Sequence, residues 1–186
     1  MDFTYNDERT GMFVYNVGLI TSRGKEGDSI MAAAWTYQVS YSPGLMAVCI
    51  NPKHTTYKNI LKSKEFGISI ASSEQNSLSS LSGNYSGENY NKIAALKELG
   101  YSFFPAKKIK TILVKDAALN IECKLIKKIK LGDHVMLIGE ILEVHPAKGE
   151  TLVYYKDKYW NAQPHHKPDD SEKNEMKDIF EKHKKK

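Results

Sequence analysis

Residues 19–50 read LITSRGKEGDSIMAAAWTYQVSYSPGLMAVCI, and this stretch decides the fold. An apolar run ends in the hydroxyl pair Thr21–Ser22, and a charged turn with two glycines follows over 23–29. Two further apolar stretches, 31–39 and 45–50, are separated by a Ser-Pro-Gly turn. Runs of this length bounded by Gly and Pro predict antiparallel strands joined by short turns.

The middle of this stretch also has the composition of a ligand-binding wall. Three successive alanines would let the backbone approach a flat ring closely, and hydroxyls at the strand ends would reach polar edges. The candidate contact residues are Thr21, Ser22, Met31, Ala32, Ala33, Ala34, Trp35 and Ser42. The alternative is a buried strand whose small residues face a crowded core, because small residues in strands commonly just pack. The residues alone leave both interpretations open.

A second candidate segment follows the strand that ends at Ile50. Pro52 breaks the strand, and Thr55 or Thr56 is predicted to cap a helix that begins near Tyr57. A helix N-terminus is a natural anion site. Its candidate ligands here are Asn51, Lys53, His54, Thr55 and Thr56. An ordinary capped helix remains the alternative.

The rest of the chain is dominated by strands. Alternating or apolar runs predict strands over 12–20, 66–71, 112–114, 118–129, 134–144 and 152–155. A helix is predicted over 90–99, ending at Gly100. The serine-rich segment 72–87 has too little bulk for a core element, so we predict a loop, either mobile or functional. Short strands with two interrupting helices indicate a mainly β fold, a closed antiparallel barrel with peripheral helices.

The chain of 186 residues is most simply one domain with appendages. We predict a barrel domain over 1–160, then a linker and a short basic helix over 161–186. His165 and His166 have no third ligand nearby and are interpreted as linker residues, so no metal site is predicted.

Cysteine use and hydropathy set expectations about the compartment. Cys49 and Cys123 lie in apolar runs without metal-ligand spacing, so we expect buried thiols in a reducing compartment. The polar N-terminus is not a signal peptide, and no run approaches the roughly 20 apolar residues of a membrane helix. We therefore expect a soluble, cytoplasmic protein with no membrane partner.

The net charge of +5 is unevenly distributed. Lysines cluster at 107–110, 127–130 and 182–186. Such clusters are compatible with nucleic-acid contact. However, the clusters contain few aromatic residues and no arginine, the residue that phosphate and base recognition favours. Solvated strand edges are the favoured interpretation, so no nucleic-acid partner is expected.

Six short motifs in one order carry a resemblance. They are Thr21-Ser22 with Gly27 and Met31–Trp35, then Val39–Pro43, then Pro52–Ile60, then Ser82–Gly87 with Lys92, then Ile121-Glu122-Cys123, and finally Gly132–Ile141. Together they resemble the flavin reductase-like FMN-binding split-barrel family, which includes flavoredoxin and archaeal ferric reductase, over residues 16–160. The resemblance implies a Greek-key antiparallel split barrel. The chain departs from the family at Ser29, where Asn is usual, at His54, where Arg is common, and at Ile93, where a Lys-Phe pair is usual.

The resemblance also implies how the site residues are used. Backbone N–H groups of Ala32–Trp35 would contact the flavin ring edge. The groups expected on the phosphate and ribityl chain are Thr21, Ser22, Lys53, His54, Thr55 and Thr56. The loop with Ser82 and Ser86 would cover the flavin or contact a partner subunit, because the family implies a homodimer with flavin near its interface. His134 is predicted near the flavin or nicotinamide; its alternative is a turn-stabilising role.

Two functional hypotheses follow from the resemblance. The first is an oxidoreductase that passes electrons from NAD(P)H through FMN to free flavin, ferric iron or a protein acceptor. The second is a non-enzymatic FMN-binding electron carrier, like flavoredoxin, whose lysine patches dock an acidic electron-transfer protein. A nucleic-acid-binding barrel is disfavoured, because stacking aromatics are missing from the basic segments.

Overall fold

The computed structural model describes residues 2–3, 7–146, 149–162 and 169–184. The prediction for His165 and His166 therefore lies outside the described residues. The strands are Tyr15–Asn16 (β1), Gly18–Gly24 (β2), Gly27–Ala33 (β3), Thr36–Tyr41 (β4), Gly44–Ile50 (β5), Glu65–Ile70 (β6), Phe103–Pro105 (β7), Ile112–Val114 (β8), Leu119–Leu131 (β9), His134–Pro146 (β10), Leu152–Tyr155 (β11) and Lys158–Asn161 (β12). The α-helices are Thr55–Ser63 (α1), Asn76–Asn84 (α2), Lys92–Glu98 (α3) and Asp170–Lys182 (α4).

Seven strands form one antiparallel sheet in the order β3-β2-β6-β9-β10-β5-β4. A small sheet of β1, β11 and β12 and the pair β7-β8 lie beside it. The end strands β3 and β4 are consecutive in the chain, so the sheet curls until its first and last strands meet at residues 34–35. The predicted mainly β architecture with peripheral helices is confirmed.

Strands β2 and β3 are buried on both faces. Ile20 and Met31 belong to the apolar core inside the large sheet, together with Phe66. Leu19 and Ile30, one position earlier on each strand, belong to a second core formed with the helices. Each fully buried side chain of this size contributes about 1.5–3 kcal/mol relative to exposure. Because both faces are covered, this hairpin is held rigidly at the centre of the fold.

The segment 72–87 is not a loop, so that prediction is wrong. A short 3₁₀ turn over Ser73–Gln75 leads into α2. Ser72 and Gln75 form a reciprocal capping box at its start, and Leu78 is fully buried on the helix. A Cβ on Gly83 would lie only 3.4 Å from the Cβ of Ala32, so the small residues let the helix pack closely on β3. Tertiary packing overrides the low bulk of the sequence.

Other predicted boundaries also shift. The predicted strand 12–20 is divided at Val17 into β1 and β2, and the predicted strand 31–39 is interrupted at residues 34–35. The Oγ of Thr36 donates to the Ala33 carbonyl over 2.9 Å and helps hold that break. The N-cap of α1 is His54, whose side chain makes no cap hydrogen bond, so the prediction that Thr55 or Thr56 caps this helix is wrong.

Several elements follow the prediction closely. Strands β9 and β10 lie where alternation predicted them, β5 lies on its predicted apolar run, and Gly132 turns the β9–β10 hairpin with φ of 56°. Helix α3 ends just before Gly100, whose φ is 92°. A positive φ at these turns favours glycine, because a side chain would be strained there. Helix α4 forms as expected, and every side chain described on it is exposed.

A buried carboxylate anchors the loop between β7 and β8. Glu122 on β9 is fully buried and accepts the backbone N–H groups of Lys107, Lys108 and Ile109 at 2.8, 2.6 and 3.2 Å. Its other partner is Nε2 of His145 at 2.6 Å. Burial alone would raise the pKa of Glu122, but these hydrogen bonds outweigh it and hold the pKa below its ordinary value. The face of β9 that carries Glu122 is therefore a second interior surface.

Cys49 and Cys123 are both free thiols. Cys123 is fully buried and Cys49 is half-buried. Burial raises the pKa of each thiol. Over the described part of the chain, no helix is both long and apolar enough to cross a bilayer.

Candidate active site

A cavity of about 460 Å³ opens where the end of β3, the start of α1, the end of α2 and the β11–β12 hairpin meet. Eight of the predicted site residues line it: Met31, Ala32, Ala33, Ala34, His54, Thr55, Thr56 and Ser82. Its volume is within the range of small-molecule sites, about 300–1,000 Å³. The alanine wall and the helix N-terminus, two separate predictions from the sequence, therefore border one space.

The alanine wall lies where the chain leaves the sheet. Met31 and Ala33 are buried toward the core, whereas Ala32 is half-buried and Ala34 is exposed. After Ala33 the backbone changes direction, and Trp35 leads into β4. Small side chains at this bend leave main-chain atoms accessible from the cavity side, as the backbone contacts to a flat ring require.

Two hydroxyls at the cavity lack partners. Among the described residues, Oγ1 of Thr55 and Oγ of Ser82 are the buried side-chain oxygens with no hydrogen bond. Ser82 is 1% exposed. A buried polar group without a partner costs about 1–3 kcal/mol, so such groups usually meet a water or a ligand. Their position on the lining residues supports a polar ligand here.

Positive charge gathers at the same end of the cavity. Lys92 on α3 donates from Nζ to the Ser82 carbonyl over 2.7 Å, and burial lowers its pKa to about 8. The pKa of His54 is lowered by burial and then by the charges of Lys92 and His134, with Glu88 acting in the opposite sense. Three basic groups therefore lie within electrostatic range of the α1 N-terminus, where an anion is favoured.

Trp35 and His134 lie beside the cavity lining rather than within it. Their ring centroids are 4.7 Å apart, and Nδ1 of His134 is 2.8 Å from Oδ1 of Asp133. Trp35 is 42% exposed, so its indole presents a free surface. The pair forms an aromatic ledge at the start of β10, next to His54.

The structure does not bring the remaining predicted residues to the cavity. Thr21 is fully buried, and its Oγ1 donates to the Ile112 carbonyl over 2.6 Å on another side of β2. Ser22 lies 3.1 Å from the hydroxyl of Ser29, which is 3.2 Å from that of Thr56. These two residues therefore tie β2 to its neighbours. Both side chains are fully buried, and neither residue lines the cavity.

Four others, Asn51, Lys53, Ser86 and Ser42, lie at or beside turns outside the lining. Oδ1 of Asn51 accepts from the backbone N–H of Lys53 at 3.1 Å, which stabilises the turn into α1. Oγ of Ser86 accepts from the N–H of Glu88 at 3.2 Å. Ser42 precedes a cis proline in the β4–β5 turn.

Several lining residues were not among the predicted site residues. They are Asn16, Val17, Ser79, Gly83, Asn84, Tyr85, Gly87, Lys92, Tyr154 and Tyr159. Most come from α2, which was predicted as a loop, and from the small sheet of β1, β11 and β12. Lys92 belongs to the serine-glycine motif, but nothing in that motif predicts its burial. Tyr159 donates to Oγ of Ser79 over 3.2 Å, which joins the small sheet to α2.

Comparison with known proteins agrees with the fold. The flavin reductase like domain profile matches residues 10–163. An uncharacterised protein of Pyrococcus abyssi is 34% identical over 67% of this chain and 69% of its own length. An FMN reductase (NADH) of Pseudomonas syringae pv. syringae is 25% identical over 83% of this chain and 81% of its own. The flavoredoxin of Desulfovibrio vulgaris superposes with a TM-score of 0.76 at 26% identity, covering 92% of this chain and 98% of that structure.

The chain belongs to the flavin reductase-like family. It is a flavin reductase-like oxidoreductase with a split-barrel fold. The resemblance inferred from six short motifs is thereby confirmed, as is the enzyme class that it implied.

Proposed function

We propose that this protein binds FMN in the cavity and reduces it with NADH or NADPH, then passes the electrons to free flavin, ferric iron or a protein acceptor. The observation that carries the proposal is the meeting of the alanine wall, two unpartnered hydroxyls and a cationic helix start around one 460 Å³ space. The donor set fits FMN, because it offers hydroxyls and cations for a phosphate and bare backbone for a ring. When bound, FMN supplies the two-electron redox chemistry.

The residues would divide the cofactor between them. The N–H groups at the start of α1, the hydroxyls of Thr55 and Thr56, the imidazole of His54 and the ammonium of Lys92 would hold the phosphate. The backbone at Ala32–Ala34 would lie against the ring and donate to its polar edge, where negative charge develops on reduction. Tyr154 and Tyr159 of the β11–β12 hairpin would form another part of the cavity wall.

A second candidate function is an FMN-binding electron carrier without nicotinamide turnover of its own. The similarity to flavoredoxin over 92% of the chain favours it. Anaerobic mixing of the FMN-loaded protein with NADH or NADPH separates the two. Rapid bleaching of the flavin absorbance supports the reductase. Tight FMN binding without bleaching supports the carrier, and failure to bind FMN overturns both.

We also propose a homodimer with the flavin near its interface. Strand β4 is an end strand of the sheet and exposes a run of large apolar side chains. They are Trp35, Tyr37, Val39 and Tyr41, with exposures of 42, 39, 50 and 91%. Such a patch on an end strand is typical of an interface. Sedimentation of the protein at its monomer mass would contradict the dimer.

We further propose that residues 1–160 form the flavin-binding domain and that 161–186 form a linker with a short basic helix. The family profile covers 10–163, and the described side chains of α4 are all exposed. An acidic electron-transfer protein is the proposed macromolecular acceptor.

Ionisation of Lys92 should make FMN affinity depend on pH. Its pKa of about 8 means that the ammonium is largely charged below pH 8 and neutral above it. We expect FMN affinity to fall roughly tenfold from pH 7 to pH 10, because a charge-assisted bond to phosphate is lost. Fluorescence titration measures it. Lys92→Met should flatten the pH profile, whereas Lys97→Met, on the same helix, should preserve it; a pH-independent wild-type affinity contradicts the prediction.

His134 should affect nicotinamide turnover more than FMN binding. Its ring lies on Trp35 at the edge of the cavity but outside the cavity lining. We expect His134→Ala to lower kcat/KM for the nicotinamide about fivefold to tenfold, through poorer positioning, with FMN affinity nearly unchanged. His183→Ala, at an exposed histidine directly after α4, is the matched control. Unchanged reductase kinetics in His134→Ala would remove this residue from the site.

A further inference from the structure

The second half of β9 projects beyond its neighbour β6. Strand β6 pairs with β9 only over residues 119–124, while β10 pairs with it as far as Leu131. Residues 126–131 therefore form an open edge, with β10 on one side and no other described strand on the opposite side. Open edges of this kind are the places where a sheet can meet another molecule.

This edge carries three lysines without ion-pair partners among the described residues. Lys127, Lys128 and Lys130 are all exposed. The residues opposite them on β10 are Ile138, Leu137 and Val135, so no carboxylate faces them across the hairpin. Within the described residues, none of these three lysines forms an ion pair. Unneutralised like charges so close together repel one another and attract an anionic surface.

Apolar side chains are interleaved with the lysines. Ile126, Ile129 and Leu131 are 50, 36 and 44% exposed. Ile126 lies at the register shift between β9 and β10, where the strand has an extra residue. Three exposed aliphatic side chains are not expected on a strand edge that contacts only solvent. Mixed cationic and apolar surface is typical of a protein contact with a charged rim.

The edge ends beside the candidate active site. After Leu131 the hairpin turns at Gly132 into His134, which contacts Trp35 and acts electrostatically on His54. At about 3.3 Å per residue, Lys127 lies roughly 13 Å along the strand from Leu131. A protein seated on this edge would reach the ledge at the cavity mouth.

We infer that residues 126–131 of β9 are the docking surface for an acidic electron-transfer protein. The inference rests on the proposed function for the class of partner, and on the edge itself for the place and charge. A second copy of the chain fits poorly, because antiparallel pairing of two such edges brings lysines against lysines. Nucleic acid fits poorly, because the edge has no arginine and no aromatic residue for stacking.

The test compares two triple variants of equal charge. One is K127E/K128E/K130E on the edge, and the other is K107E/K108E/K110E, on the separate lysine cluster of the β7–β8 loop. Each Lys-to-Glu change lowers the charge by two, so either triple takes the net charge from +5 to −1. The probes are a purified acidic flavodoxin and a purified acidic ferredoxin. Their dissociation constants are measured by fluorescence anisotropy at low and moderate salt.

We expect at least one probe to bind the wild type with affinity that falls steeply with salt. The edge triple should weaken that binding about tenfold or more, and the loop triple by clearly less. NADH-dependent reduction of free FMN should be unchanged in the edge triple. If the wild type itself does not catalyse this reaction, the result contradicts the proposed function and not the docking surface.

Four outcomes would overturn the inference. They are equal weakening by both triples, absence of salt-sensitive binding to either probe, dissociation of a wild-type dimer by the edge triple alone, and edge-dependent binding of a DNA or RNA oligonucleotide in place of the proteins. The third would assign the edge to a second copy, and the fourth to nucleic acid.

Discussion

Replacing Ala34 with phenylalanine should abolish tight FMN binding while leaving the fold intact. Ala34 is exposed, lines the cavity and lies where the chain leaves β3, so a larger side chain meets no core atoms. A benzyl group there would occupy the space proposed for the flavin ring. We expect FMN affinity to fall at least about 100-fold, or nearly 3 kcal/mol.

Two measurements make this result specific. Thermal unfolding of Ala34→Phe should match the wild type, because no buried group is displaced. Ala95→Phe, on the exposed face of α3 outside the cavity lining, is the matched control and should bind FMN normally. Normal FMN binding by Ala34→Phe would show that the flavin does not lie on the alanine wall.

Glu122→Ala should cause the largest loss of stability of any single change considered. The carboxylate is fully buried and accepts three backbone N–H groups and the His145 ring. Its removal would strand those donors inside the protein. Breaking such a buried network costs about 3–5 kcal/mol, which urea unfolding measures as a lower midpoint at unchanged slope.

Glu143→Ala is the matched control for Glu122→Ala. It lies on the neighbouring strand β10, is partly exposed, and its nearest ionic partner is Lys107 at 3.8 Å. A pair of this kind contributes less than about 1 kcal/mol. Equal loss of stability in both variants would contradict the anchoring role of Glu122.

The same carboxylate predicts an acid-sensitive stability. Hydrogen bonds hold the pKa of Glu122 below its ordinary value in the folded protein. Its contribution is therefore complete above the unfolded-state pKa and is lost as the pH falls through the lower, folded-state pKa. The wild type should lose stability in that acidic window, and Glu122→Gln should show a shallower decline.

The sequence predicted the fold where burial follows local periodicity. Strands β9 and β10 alternate apolar and polar residues, and β5 is a continuous apolar run. Gly132 turns the β9–β10 hairpin and Gly100 follows α3, both with positive φ. It failed where a second layer decides the structure. Helix α2 lacks bulk, and packing of Leu78 in the second core and of Gly83 against β3 stabilises it as a helix. Glu122 resembles an exposed strand residue until the β7–β8 loop covers it.

The site was predictable where its residues are neighbours in the sequence. Ala32–Ala34 and His54–Thr56 are contiguous in the sequence and keep their neighbours in space, so motif and geometry agree. Thr21 and Ser22 belong to the same motif, but their strand is buried on both faces. Being close to Ala32–Ala34 in the sequence therefore does not bring them to the cavity. Lys92, Tyr154 and Tyr159 reach the cavity from distant segments, and only the tertiary structure brings them there.

Burial of the two thiols affects how readily they are oxidised during aerobic turnover. Reduced flavin that meets dioxygen yields hydrogen peroxide, so a flavin reductase is the first protein exposed to the oxidant it generates. Peroxide attacks thiolates, and burial keeps Cys49 and Cys123 protonated by raising the pKa of each. Both sulfhydryls should therefore react with this by-product more slowly than an exposed cysteine, and repeated aerobic turnover should leave them largely unmodified.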